Sequence, residues 1–261
     1  QFTMTQRLGF FELSNKLGER RFDSTAAIAA FGAAARPFFV NTNTAFFDNE
    51  AELSNQKGLS SETQASVSGG DDNTRYYASV LNKHEGGIAP RTFANKQSLT
   101  LNIDQNIASR LQLSLSSQAI HSANDRGLTS NENNGSTLQS SYYALPSWID
   151  WRGTCPDGSR VADPANPCKG ATFAYASPYA SSNAFQTSAL MQDKESVWRA
   201  IGSARVQLDM VSTAAHTFRF IGTAGGDVFT QKNAVHAPPE LQFEQASGVP
   251  GTNAMSYSQS Q

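Results

Sequence analysis

Nowhere in these 261 residues is there a run approaching the roughly 20 apolar residues of a membrane-spanning helix, and only 39% of the chain is hydrophobic. That shortage excludes a helical membrane protein. It does not exclude a β-barrel, whose strands each carry only about ten residues of weak alternation. Charge is scarce as well: 16% of residues are charged, the net charge is -2, and no Lys/Arg cluster stands out. Such a chain lacks the basic patch by which nucleic acid is held, so no nucleic-acid partner is expected. The four histidines (His84, His121, His216, His236) are dispersed and form no H-E-x-x-H pair, so no metal site is expected. There is no G-x-S-x-G elbow, and Ser68-Gly69-Gly70 lacks the Lys of a phosphate loop. With no catalytic constellation in view, the expectation is a non-enzyme without a cofactor. The chain opens at Gln1 with neither an initiator Met nor a charged-then-apolar leader, which predicts a processed chain or an internal piece of a longer one.

What the sequence does contain is alternation with a period of two. Leu99, Leu101 and Ile103 alternate with Ser98, Thr100, Asn102 and Asp104, and Leu111, Leu113 and Leu115 alternate with Gln112, Ser114 and Ser116. Ala204, Val206, Leu208 and Met210 likewise oppose Ser203, Arg205, Gln207 and Asp209. Successive strand side chains point to opposite faces, so each segment has one apolar and one polar face. In a soluble sandwich the apolar face meets a second sheet; in an outer-membrane barrel it meets lipid while the polar face lines a wet lumen. On the barrel reading Asn102, Asp104, Gln112, Arg205 and Asp209 face the lumen.

Seven or eight such segments are predicted: Phe2–Phe11, Thr63–Ser68, Arg75–Asn82, Lys96–Asp104, Arg110–Ile120, Glu195–Val211, His216–Val228 and a last one opening at Ala254. A short helix is expected in the stretch beginning at Ser24, capped by that serine and broken by Pro37. Tight connections near Asp71, Asn106 and Thr213 alternate with longer ones after Phe11, over Lys83–Asn95, over His121–Lys194 and after Val228. Short turns at one end and long loops at the other are the pattern of an outer-membrane barrel, its turns periplasmic and its loops extracellular. The fold class predicted is therefore all-β: a meander segment of an antiparallel transmembrane β-barrel. Tyr76, Tyr77, Trp198 and Phe229 fall near strand ends, where an aromatic girdle would lie; ordinary sheet packing would use the same residue types.

Residues 60 to 120 also carry a family resemblance. Ser66-Val67-Ser68-Gly69-Gly70, Thr74, Tyr76-Tyr77, Ser79, Gly87-Ile88 and Leu101-Asn102-Ile103-Asp104 stand in the order seen in the first barrel hairpins of a transporter family. The block resembles SusC/RagA-type TonB-dependent outer-membrane transporters, with Lys96-Gln97-Ser98 standing where that family usually places an Arg. The resemblance implies energy-coupled import of a bulky nutrient, such as an oligosaccharide or peptide, across the bacterial outer membrane. It implies outer-membrane lipid, the TonB complex and a SusD-like lipoprotein as partners. The family also has an N-terminal plug and a barrel of 22 strands, so residues 1–261 are expected to be the first part of an incomplete barrel, without the plug and the remaining strands. A small complete barrel, a soluble or surface β-rich binding or adhesion domain, and a secreted glycan-active enzyme remain as alternatives.

Residues 121–194 are expected to form a long extracellular loop. Cys155 and Cys168 lie within it; in an oxidising compartment they would pair, stabilising the loop by roughly 3 kcal/mol, whereas two thiolates without a nearby His fall short of a zinc set. The same loop holds the aromatics Tyr142, Tyr143, Trp148 and Trp151. Aromatic faces stack on sugar rings, so these four are candidate ligand contacts; the other reading is that they form the loop's own small core.

Overall fold

In a computed structural model, residues 1–12, 47–54, 56–127, 150–163, 166–173, 182–213, 215–245 and 254–260 are described, together with Thr25, Ile28 and Ala29. The helix expected from Ser24 lies, apart from those three residues, outside the described residues. Eight strands form one antiparallel sheet in sequence order: β1 Phe2–Gly9, β2 Ser60–Gly70, β3 Thr74–Gly86, β4 Phe93–Ala108, β5 Leu111–Asp125, β6 Gln192–Ser212, β7 Thr217–Ala237 and β8 Ala254–Ser260. Every strand pairs with its neighbour in the chain, and β1 and β8 do not pair with each other. This open meander has the architecture of a barrel wall that is not closed within these residues.

Local chemistry sets the turns. Asp71 Oδ1 accepts from the backbone N–H groups of Asn73 and Thr74, each at 2.8 Å, closing the β2–β3 turn. Gly70 enters that turn at φ 139, and a Cβ there would lie 2.0 Å from the Thr74 carbonyl oxygen. Only glycine fits. The two faces follow from the register. Ile103 pairs with Leu115 and Leu115 with Ala204, while Asn102 pairs with Ser116 and Ser116 with Ser203. A β-bulge in β6 between Asp209 and Val211 keeps the apolar face continuous: Leu208 pairs with Phe220, and beyond the extra residue Val211 pairs with Phe218.

The structure corrects several expected boundaries. The turn expected at Gln105–Ala108 lies after Ala108, because a bulge between Asn106 and Ala108 extends β4. The connection expected over Lys83–Asn95 contracts to 87–92, since Gly86 pairs with Phe93. β5 runs on to Asp125 and β6 starts at Gln192, shortening the 121–194 loop at both ends. β7 continues nine residues past Val228 to Ala237. These extensions escape the periodicity because strand ends carry polar residues on both faces, as in Gln231, Lys232 and Asn233, and are held by backbone pairing.

At the end of the sheet away from the tight turns, four connections pack together. They contribute α1 (Asn49–Ser54), α2 (Ala184–Leu190) and α3 (Gln242–Gln245). Leu53, Ala89, Trp151, Ala184 and Phe185 form their core, with Phe173 against it. Asn183 caps α2, its Oδ1 accepting from Phe185 N at 2.9 Å and Gln186 N at 3.3 Å while its Nδ2 donates to Trp151 O. Gln186 then reaches the β7–β8 connection, donating to Glu240 O and accepting from Gln242 N. Arg160 donates to both oxygens of Glu52, at 2.9 and 3.0 Å, and so ties the β5–β6 connection to α1.

Candidate functional site

The sheet's two faces differ in one respect above all: where charge is allowed. Among the described strand residues, alternate positions place every Arg, Lys, Asp and Glu of β1–β7 on one face, except Asp125, Lys194 and Lys232. We call the charged face inward. On it Arg7 donates to Glu62 at 2.9 Å, and Lys83 pairs with Glu85 at 2.8 Å. Arg219 makes a fork onto Asp209, and Arg199 one onto Asp227, with Nε to Oδ1 at 2.9 Å. Between the pairs runs a ladder of hydroxyls and amides, with Ser116 Oγ on Asn102 Oδ1 at 2.8 Å and Gln118 Nε2 on Thr100 Oγ1 at 3.3 Å. At the end of the sheet that bears the long connections Glu195 accepts from Asn124 at 3.1 Å, Gln231 at 2.8 Å and Arg126. Such a face offers donors and acceptors to a polar passenger or to another polar layer, and no nucleophile or acid–base pair stands out among the described residues.

The five residues expected to face a lumen lie on one face of the sheet, the charged one. Asp104 lies in one row with Arg75, Ser114 and Arg205, Asn102 in the next, and Gln112 and Asp209 at the tight-turn end. Gln112 and Asp209 help line a cleft of about 510 Å³ there, together with Asn73, Asn106 and Arg110. What the periodicity missed is the set of partners. Arg219 and Arg199 were in plain view as alternating residues, but only the register brings each to its carboxylate.

The outward face is apolar and bare. Phe2 is 69% exposed, Leu101 43% and Val228 68%, and no second layer covers them among the described residues. This apolar belt drifts steadily across the hydrogen-bonded rows. Its midpoint in β1 is Thr5, between Phe2 and Leu8, and the ladder carries Thr5 through Gln64, Leu81, Ser98, Ile120 and Arg199 to Phe229. In β4, however, the belt centres on Leu101 rather than Ser98, and in β7 on Thr223 rather than Phe229. The drift is thus about one residue per strand, which at about 3.4 Å per residue and 4.8 Å per strand corresponds to strands tilted about 35° from the normal of a level belt. A level slab crossing tilted strands leaves this trace. Spanning barrels tilt by about 35–45°.

The aromatics divide between the faces. Tyr76 and Trp198 lie outward, and Trp198 stacks on His121 with ring centroids 4.1 Å apart and 17° between planes. Tyr77 and Phe229 fall on the inward parity, which removes them from the expected girdle. Tyr142, Tyr143 and Trp148 lie outside the described residues. Trp151 is 1% exposed and belongs to the loop core with Leu53, Ala184 and Phe185. Cys155 and Cys168 form a disulfide, with Cα atoms 5.9 Å apart. Asp157 in its loop accepts from the Ser159 hydroxyl and backbone N–H, which holds its carboxyl below the ordinary range. No group of His, Cys, Asp and Glu side chains able to hold a metal occurs among the described residues.

No family model matches this chain, and no curated protein matches it. Solved structures do. The chain is similar to the RagAB peptide transporter with a TM-score of 0.63 at 14% identity, over 91% of this chain and 29% of that one. Against the RagAB peptide importer in its closed-closed state the TM-score is 0.59 at 14% identity, covering 93% and 29%. For the open-open state the values are 0.60 and 14%, covering 91% and 28%. This chain thus spans less than a third of the length of the transporter chains it matches, and over that span it shares their fold, an antiparallel β wall.

Proposed function

We propose that this chain forms part of the wall of an outer-membrane, TonB-dependent nutrient transporter of the SusC/RagA type. The observation that carries the proposal is the uncovered, charge-free apolar belt and its drift of about one residue per strand. A soluble sheet would leave Phe2, Met4, Leu101 and Val228 in water; a tilted barrel wall sets them against acyl chains. The inward face, with its ion pairs and hydroxyl–amide ladder, then borders a wet interior. The substrate is a bulky polar nutrient, an oligosaccharide or peptide, handed over by a SusD-like surface lipoprotein, with energy coming from TonB through a plug. The family resemblance and the similarity to RagAB chains support this, and the residues at hand are one section of the larger barrel. The test is migration of the full-length protein on SDS gels with and without boiling. A compact form that converts to a slower one on heating is expected; a protein that stays soluble without detergent and shows a single band would overturn the reading.

A further inference from the structure

We propose that Lys194 and Lys232 bind the phosphate of a lipid headgroup in the outer leaflet, on the outward face just beyond the apolar belt. The inference rests on the barrel reading above. Three outward positions in β1–β7 carry charge; one of them, Asp125, stands opposite Lys194 in the ladder but is 5% exposed, its Oδ1 accepts from Gly127 N, and it makes no ion pair with that lysine among the described residues. The charge left exposed on the lipid side is therefore two lysines, and both are cationic. They are neighbours. Lys232 pairs with Ser196 and Lys194 with Ala234, so the two lie diagonally across β6 and β7, about 7–8 Å apart at Cα. Neither makes a hydrogen bond or ion pair among the described residues, although carboxylates are plentiful at the same level: Glu62, Glu85 and Glu195 all point inward and are paired there.

Their depth identifies the ligand. The continuous apolar run of β7 ends at Val228; Thr230 and then Lys232 follow on that face. On β6 the run ends at Ala200, and Trp198, Ser196 and Lys194 follow. An anion meeting these ammonium groups must reside in the layer directly above the hydrocarbon, where flexible lysine stems bend back toward the belt. Beneath them the Trp198–His121 stack offers a flat amphipathic ledge at the height where acyl chains join a headgroup. His121 is fixed there by Gln97 at 3.1 Å and Ser196 at 3.3 Å. Two like charges side by side repel, and a bound phosphate reverses the sign of that interaction. The lysines are at the loop end of the wall, so the lipid belongs to the outer leaflet.

The experiment uses the full-length protein, purified in mild detergent and placed in phosphatidylcholine nanodiscs doped with diphosphorylated lipid A. Retained lipid A is read by native mass spectrometry. Wild-type protein is expected to hold lipid A, K194R/K232R to hold it comparably, and K194Q/K232Q to hold about thirty-fold less, at roughly a factor of five per lysine. Lipid A stripped of both phosphates should bind wild type no better than the intact lipid binds K194Q/K232Q. Equal retention by wild type and K194Q/K232Q, or equal binding of the stripped lipid, overturns the proposal. So does loss of an acidic protein partner from K194Q/K232Q with lipid A unchanged. If K194Q/K232Q remains heat-modifiable while retention is unaffected, only the lipid site falls; a wild-type protein soluble without detergent removes the barrel reading as well.

Discussion

Gly70 and Asp71 together make the β2–β3 turn, and each is open to a single-residue test. At φ 139 and with no room for a Cβ, Gly70→Ala strains the turn, so a loss of about 1–3 kcal/mol is expected in urea unfolding. The Asp71 carboxyl is held below its ordinary value of 3.8, chiefly by the Thr74 backbone N–H and then by that of Asn73. A depressed value means that the turn gains from this carboxylate in full above the unfolded value and loses the gain as pH falls through the lower folded one. Hydrogen-exchange protection of the Asn73 and Thr74 amides, corrected for intrinsic rates, should therefore drop in acid in wild type and be pH-independent in Asp71→Ala. The sharpest residue-level test separates the faces. Leu101→Lys puts a charge at the middle of the apolar belt and should cost about 2–4 kcal/mol of folding into bilayers, while Ser116→Lys, facing inward, should cost under about 1 kcal/mol. Equal costs would remove lipid from the outward face.

Among the elements, the long β5–β6 connection draws its order from the disulfide and from α2. Cys155 and Cys168 are 13 residues apart, and reducing the bond should destabilise that loop by about 3 kcal/mol. Faster proteolysis between them, with the sheet intact, is the measurement. Trp151→Ala should be at least as damaging to the same segment, by about 3–5 kcal/mol, because the indole is enclosed by Leu53, Phe185 and Ala184 and leaves a cavity. The strands themselves were legible from alternation wherever a Leu, Val or Ile marked the outward parity. They were illegible at the ends, such as Gln231–Asn233, where neither face is apolar and β7 is extended by backbone pairing and by polar contacts such as Gln231 to Glu195.

For the whole molecule, the belt's drift fixes a measurable angle. Polarised infrared spectra of the full-length protein in oriented bilayers should give a mean strand tilt of about 35–45°; strands lying flat in the plane would contradict a spanning wall. The loops at the far end should behave as one unit, since Gln186 and Arg160 bind segments from three different connections. Arg160 sits over the Phe47 ring at 5.4 Å as well as on Glu52 and Asp150. Its removal in Arg160→Ala should raise amide exchange across α1 and the disulfide loop together rather than in one alone.

Alternation by itself determined that these segments are strands with one apolar and one polar face, because side chains on a strand have no choice but to alternate. It likewise placed Asn102, Asp104, Gln112, Arg205 and Asp209 together, since they share a parity. Which residues meet across strands was decided only by the register, which long-range backbone pairing sets. Arg219 finds Asp209, Arg199 finds Asp227, and two lysines 38 residues apart become neighbours on the outward face. The slant of the apolar belt is of the same kind: each strand's sequence holds one segment of it, and only their stagger against one another gives it an angle.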